Sequence, residues 1–317
     1  MQKVKIVAGS ASIELATKIA KEYRTKLGHV TTEKFSDKEM CPTFDESIRG
    51  TDIYIVQSTP PPGDNWMELF LLIDAAKRAS ANRVIAVLPY FGYSRQDKKD
   101  KPRVAIGAKL VANLLTAAGI DRLLTMDLHA GQIQGFFDIP VDSLFASQVF
   151  IPYIHKLKDD GIISNLCIAT PDVGGAKRAA KYADGFDCDL AIIFKQRAKA
   201  NVISKMSLIG DVKNKDVILI DDLIDTGGTL CKASDLLMES GAKSVRAFCT
   251  HPVLSGAAYE NIERSSLVEM VVTDTVPLKQ KTPKIKVISV AILFADVISR
   301  IQNNESISTH FDFNKLF

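Results

Sequence analysis
Short runs of β-branched and aliphatic residues recur along the chain with amphipathic stretches between them. This alternation restricts the fold more than any other feature of the sequence. The apolar runs are Lys5–Ala8, Ile53–Gln57, Val84–Pro89, Leu123–Asp127, Leu166–Thr170, Leu190–Phe194, Val217–Ile220, Val245–Cys249, Val268–Thr273 and Lys286–Val290. Continuous apolar runs of this length suit strands buried on both faces. Ile13–Leu27, Met67–Ala79, Ala105–Ala118, Gly175–Ala183, Thr229–Ser240 and Ala291–Gln302 read as amphipathic helices. The pattern predicts α/β domains with mainly parallel sheets and right-handed crossovers. A chain of 317 residues accommodates two of them, each with its own core. Counting elements divides the chain near Asp142–Gln148, into residues 1–145 and 146–304.

Charge narrows the choice of ligand. Forty Lys and Arg against thirty-seven Asp and Glu leave a net charge of +3, too little for wholesale coating of nucleic acid. A local basic site for a small polyphosphate remains open. The five cysteines, at 41, 167, 188, 231 and 249, include no CxxC pair, which suggests neither a disulfide framework nor a zinc site. No apolar run is long enough to span a bilayer, and Met1–Gly9 is too short for a signal segment. The expected location is the cytoplasm.

In open α/β sheets ligands bind beyond the carboxyl ends of strands, so the segments after the apolar runs carry the chemistry. The strongest is Val217–Thr229, in which the run leads into Asp221 and Asp222, and Asp225, Thr226, Gly227, Gly228 and Thr229 open a helix. Loop N–H groups and a helix N-terminus form an anion site, and the threonines add hydroxyl donors. The carboxylates would repel a phosphate and suit sugar hydroxyls beside it. Phosphate plus a cis-diol is the outline of a ribose 5-phosphate; the alternative is a capped helix after a buried strand, with solvated aspartates. A second loop, Pro171-Asp172-Val173-Gly174-Gly175, suits a diphosphate, with Asp172 placed to hold a metal on it, although Asp and Gly are also common at helix starts. Alternation along Leu123–Asp127 places Asp127 and His129 on one side, able to share a metal shell or to hydrogen-bond each other. Lys195, Arg197 and Lys199 could neutralise a transferring polyphosphate or be a solvated basic loop. Arg95 can stack on a base whose edge Gln96 can read. Neither a Walker loop nor a dinucleotide fingerprint occurs.

Taken together and in order, these segments resemble the ribose-phosphate pyrophosphokinases, in their phosphate-dependent class I form. The likeness rests on Phe35-Ser-Asp37-Lys-Glu39, Glu46-Ser47-Ile-Arg49-Gly50, Tyr93–Lys98, Met126–Phe137, Pro171–Arg178, Lys195-Gln-Arg197, Asp221–Thr229 and Asn304–Ser308, over almost the whole chain. It implies phosphoribosyltransferase-like domains and the reaction ATP + ribose 5-phosphate → AMP + 5-phosphoribosyl 1-diphosphate. It also implies residue roles. Phe35 and Arg95 would sandwich adenine, supported by Asp37, Glu39, Gln96 and Asp97. His129 and Asp172 would be tied to Mg²⁺–ATP. Lys195 and Arg197 would stabilise the migrating group, with Arg197 also reaching ribose 5-phosphate. Asp221 and Asp225–Thr229 would hold ribose 5-phosphate, and Asp172, Val173, Gly174 and Gly175 would face the diphosphate. The resemblance further implies a homohexamer in which Phe35, Asp37 and Glu39 serve a neighbouring chain. Activation by inorganic phosphate and inhibition by ADP would occur at an interface site, for which Ser47, Arg49, Ser80, Arg103, Gln134, Ser306, Ser308 and Phe311 are the candidates. The tail 305–317 would pack on the first domain.

Some positions depart from the family pattern: Lys38 in the nucleotide hairpin, Ala198 where a further cation is common, Ser143 where an amide is common, and the Pro60–Pro62 run, expected to be extended. Two other readings share part of the pattern. A phosphoribosyltransferase has the Asp–Asp–Thr/Gly loop but not the N-terminal half with Phe35 and Arg95. A non-catalytic homologue would lose catalytic-loop residues that are present here. A bare metabolite-binding module of the same fold is a third.

Overall fold
The apolar runs pair into two sheets. The structure is a computed structural model and describes residues 3–195 and 206–317. It divides into two units, the first formed by Met1–Phe145, Thr275–Pro277 and Ser289–Phe311, the second by Ala146–Asp274, Leu278–Ile288 and Asp312–Phe317.

The first unit opens with β1 (Val4–Ala8), α1 (Ile13–Glu22) and a hairpin of β2 (Val30–Lys34) and β3 (Met40–Phe44). There follow β4 (Asp52–Val56), α2 (Asp64–Arg78), β5 (Arg83–Leu88), α3 (Gly107–Ala118), β6 (Arg122–Met126) and β7 (Val141–Leu144). The five long-sheet strands run parallel in the order β1-β4-β5-β6-β7. β4 is buried at every position, as a strand covered on both faces must be. The hairpin forms an antiparallel sheet of its own, with β3 packed on α2.

The second unit contains α4 (Ser147–Asp159), β8 (Leu166–Thr170), α5 (Ala176–Phe186), β9 (Asp189–Lys195), β10 (Met206–Ile209), β11 (Asp216–Ile224) and α6 (Gly228–Glu239). It continues through β12 (Ser244–Pro252), α7 (Ala258–Arg264), β13 (Glu269–Thr273) and β14 (Ile285–Ile288). The strand order is β10-β9-β8-β11-β12-β13-β14, parallel throughout except for β10.

The last helix, α8 (Ala291–Gln302), returns to the first unit and packs on α1. The chain therefore divides differently from the expected 146–304 domain, because α8 is bonded to the first sheet. Gln302 Nε2 donates to Asp52 at 3.0 Å and Tyr54 Oη donates to Gln302 Oε1 at 3.3 Å. The tail divides too. Its last residues lie in the second unit, where Phe313 meets Tyr182 edge-on at 5.3 Å and Phe317 meets Phe186 at 4.8 Å. The prolines after β4 make a bend with a cis Pro61–Pro62 bond, not an extended run. Among the described residues no helix is long and apolar enough to cross a membrane.

Asp52 ties this sheet to α8. It is fully buried and accepts from Asn82 Nδ2 at 2.6 Å, Arg83 at 2.6 Å and Gln302. Burial alone would push its carboxyl up, but the bonds from Arg83, Asn82 and Gln302 outweigh this and leave it below the ordinary carboxylate range. A depressed folded pKa stabilises the protein above the unfolded value, and that stabilisation is lost as pH falls through the folded value. Asp52→Asn should lower the unfolding free energy by about 2–3 kcal/mol at pH 7, discounted because Arg83 is partly exposed. Urea denaturation at pH 7 and near pH 3 checks this. The deficit should shrink at the lower pH, and an equal deficit at both would remove the charge from the account.

Candidate active site
Strand order locates the site in the second unit. From β8 the chain moves to β9 and β10 on one side, and β11 through β14 then occupy the other. The order reverses between β8 and β11, and such a reversal opens a crevice at the carboxyl ends of the two strands. Pairing of β11 with β8 stops at Leu219↔Ala169, whereas its pairing with β12 continues to Ile224↔Pro252. Asp221 and Asp222 lie two and three residues beyond the last β8 pairing. They lie within β11, a strand that outruns the expected Val217–Ile220, so they are not turn residues.

The two carboxylates share a cation. Arg178 Nη1, from α5, donates to Asp222 Oδ1 at 3.0 Å and lies 3.9 Å from Asp221 Oδ1. The backbone N–H of Asp222 donates to Asp221 Oδ1 at 2.9 Å. Burial first, and then the adjacent Asp222 carboxylate, push the Asp221 carboxyl well above its ordinary range, while Arg178 pulls the other way. Beyond them, Ser255 Oγ donates to Asp225 Oδ1, and Asn261 Nδ2 donates to Thr226 O at 2.9 Å. Gly227 sits at φ +74°, the left-handed region that favours glycine, and lets the chain turn straight into α6. The N–H groups that open α6 thus converge at the end of β11.

The neighbouring loop is closed by its own aspartate. Asp172 Oδ1 accepts from the N–H of Gly175 at 2.9 Å, and Thr170 Oγ1 donates to Asp172 O at 3.0 Å. A Cβ on residue 175 would lie 2.3 Å from Thr170 Oγ1, so only glycine fits there. Asp172, Val173 and Gly174 are exposed.

In the first unit, the nucleotide candidates lie on loops. Phe35, Asp37 and Glu39 occupy the exposed tip of the β2–β3 hairpin, where Phe35 N donates to Glu39 O at 2.9 Å and Glu39 N to Asp37 Oδ1 at 3.0 Å. Lys38 adopts φ +75° there, a left-handed conformation that costs about 1 kcal/mol outside glycine or asparagine. Arg95, Gln96 and Asp97 follow β5, with Gln132 Nε2 donating to Asp97 Oδ2 at 3.1 Å. His129 follows β6 and is exposed. The expected alternation of Asp127 with His129 does not hold, because β6 ends at Met126 and Asp127 turns to φ +37°. Lys195 is the final residue of β9, and Arg197 lies outside the described residues.

Comparison with known proteins decides the family. A family model for the N-terminal domain of ribose phosphate pyrophosphokinase matches residues 4–119, and one for the phosphoribosyl synthetase-associated domain matches 197–312. The ribose-phosphate pyrophosphokinase of Porphyromonas gingivalis is 53% identical over 308 residues, 97% of each chain. That of Campylobacter jejuni is 54% identical over 312 residues, covering 98% of this chain and 100% of the relative. The crystal structure of phosphoribosylpyrophosphate synthetase from Mycobacterium smegmatis superposes with a TM-score of 0.90 at 41% identity, covering 96% of this chain and 100% of that one. The chain belongs to the ribose-phosphate pyrophosphokinase family. It is an enzyme of the ATP-dependent diphosphotransferase class.

The regulatory candidates of the family pattern fall into separate places within the first unit. Arg49 Nη1 donates to Ser80 Oγ at 3.2 Å, and Ser47 and Arg49 line a cavity of about 390 Å³. Ser306, Ser308 and Phe311 line another, of about 540 Å³, with Arg83, Arg122 and Asp142. Gln134 donates to Gly131 O at 3.0 Å, and Arg103 lies on the exposed loop after β5. Within one chain these residues line two cavities and two further loops.

Among the described residues no group of three or more His, Cys, Asp or Glu side chains could hold a metal ion. His129 and Asp172 are exposed, and a cation held by them would take most of its coordination positions from phosphate oxygens and waters. Sequence reasoning gave no role to Arg178, although a pair of adjacent carboxylates calls for a nearby cation. Ser255 and Asn261 brace the α6 loop from thirty or more residues away and had no local signal.

Gly175→Ala should destabilise the protein by about 1–3 kcal/mol through overpacking. Adding Thr170→Ala removes the clashing oxygen and should recover part of that loss. Chemical denaturation of the single and double variants tests this as a cycle, and strict additivity would contradict the contact.

Proposed function
We propose that the chain transfers the β,γ-diphosphoryl group of ATP to the C1 hydroxyl of ribose 5-phosphate, giving AMP and 5-phosphoribosyl 1-diphosphate. The observation that carries the reading is the pair of loops at the β8–β11 reversal, with a carboxylate pair between them, in a chain of this family. The Asp225–Thr229 loop receives the 5-phosphate on its N–H groups and threonine hydroxyls. Asp221 takes the ribose hydroxyls, because a carboxylate accepts from hydroxyls and repels a phosphate. The Asp172–Gly175 loop faces the diphosphate. Phe35 and Arg95 hold adenine between them, with Asp37, Glu39, Gln96 and Asp97 around the nucleotide.

The transfer is an in-line displacement at the β-phosphorus, so these residues act by positioning and by neutralising charge. Lys195 and Arg197 supply cations where negative charge builds on the migrating group. His129 and Asp172 would hold Mg²⁺ that arrives with ATP; when bound, it offsets polyphosphate charge. The reading extends to a cytoplasmic homohexamer, activated by inorganic phosphate and inhibited by ADP through Ser47, Arg49, Ser80, Arg103, Gln134, Ser306, Ser308 and Phe311.

Incubation with Mg²⁺, ATP and ribose 5-phosphate, with and without inorganic phosphate, should release AMP only when the sugar is present. No AMP under any of these conditions would overturn the assignment. Lys195→Ala should lower kcat by about 100-fold or more with little change in the KM for ribose 5-phosphate, because its charge is needed in the transition state. Equal losses would place Lys195 in ground-state binding. Arg49→Ala should weaken ADP inhibition measured at saturating ATP, and an unchanged inhibition curve would remove Arg49 from the regulatory site.

A further inference from the structure
Glu68 occupies a position on α2 that helix periodicity assigns to the core, between Trp66 and Leu69, and it is 1% exposed. Its carboxylate gathers four donors. Oε2 accepts from the N–H of Ser10 at 3.0 Å, from Ser10 Oγ at 2.6 Å and from Gln57 Nε2 at 2.9 Å. Oε1 accepts from Thr32 Oγ1 at 2.9 Å. Gln57 is fully buried, accepts from Ala11 N at 3.2 Å and packs so closely on residue 9 that a Cβ there would come within 2.5 Å of it. Oε2 is therefore fastened to the segments that follow β1 and β4, and Oε1 reaches β2 of the hairpin.

The hairpin needs such a fastening. It forms a two-stranded sheet separate from the long one, and an isolated pair of strands is marginal in water. β3 packs on α2, but β2 is largely exposed. An apolar residue at position 68 would satisfy the core but could not hold Thr32. We propose that Glu68 is a positioning residue for nucleotide binding, setting the β2–β3 hairpin, and hence Phe35, Asp37 and Glu39, through its bond to Thr32. The inference rests on the reading of that hairpin tip as a nucleotide contact. Thr32 Oγ1 can also accept, so an amide at 68 could keep these bonds by turning its Nε2 to Thr32, whereas alanine or an aliphatic side chain could keep none of them.

The decisive variant is Thr32→Val, which keeps the side-chain shape and removes only the hydroxyl. It should raise the KM for ATP by about three- to thirtyfold, the range for losing one hydrogen bond to a charged group that acts at a distance. The KM for ribose 5-phosphate and kcat at saturating ATP should each change less than about twofold, a split that general destabilisation would not produce. Amide hydrogen exchange over Val30–Phe44 should accelerate in the same protein. Glu68→Ala, which removes all four bonds, should do both more strongly; if it fails to fold, Thr32→Val carries the test alone. Phe35→Ala separates the two levels of the argument. If Phe35→Ala raises the KM for ATP and Thr32→Val does not, the hairpin keeps its nucleotide role and the Glu68 proposal is overturned. If Phe35→Ala leaves the KM for ATP unchanged, the hairpin reading fails and the proposal falls with it. Unchanged exchange in Thr32→Val would also overturn it.

Discussion
The arrangement at the β8–β11 reversal depends on Arg178 standing opposite Asp221 and Asp222. Two neighbouring carboxylates at the end of a buried strand repel each other, and burial penalises the ionised form of both. A guanidinium 3.0 Å from one and 3.9 Å from the other lets the pair stay close and partly shielded. The same arginine sits on the helix that follows the Asp172 loop, so one ion-pair cluster ties the two loops to each other. Without it the loops would be only two glycine-rich connections on adjacent strands.

The loops themselves are set mainly by backbone constraints. Gly227 turns the chain through the left-handed region, and Gly175 makes room for the Thr170 hydroxyl. Each position rejects a side chain for a different reason, one conformational and one steric. N–H groups fixed in this way need no reorganisation when an anion arrives, which suits a site whose proposed task is to hold phosphates still while charge moves.

The parallel strands were legible because burial on both faces leaves continuous apolar runs, and β4, β8 and β11 read as such. Where a strand lacks that burial, the signal disappears. Four of the five residues of Val30–Lys34 are Thr or charged because the strand lies outside the long sheet, and no apolar run marks it. α4 carries Pro152 inside it, a residue that ordinarily punctuates a helix, yet Phe150, Ile151, Ile154 and Leu157 are buried along its length. The chemistry-bearing loops were legible for the converse reason: Asp221–Thr229 and Asp172–Gly175 combine residues that no core would select. Arg178, Ser255 and Glu68 had no such signal, since their meaning depends on partners distant in sequence. The placement of α8 is the same kind of case. It follows β14 in the chain but is bonded to Asp52, a connection of 250 residues.

The two units therefore approach ligand binding in different ways. The second has a reversal of strand order, which generates a crevice from topology alone. The first sheet runs β1-β4-β5-β6-β7 without a reversal, so its topology supplies no crevice. Its nucleotide candidates stand instead on the loops after β5 and β6 and on a hairpin outside the sheet. Precision that topology does not provide has to come from side chains, and that is where a buried carboxylate becomes intelligible. A buried acid is costly unless its hydrogen bonds are satisfied. Glu68 satisfies four donors at once, three beside the sheet and one on the hairpin. The core position gives up an apolar contact, and the fold gains a fixed hairpin where its sheet offers none.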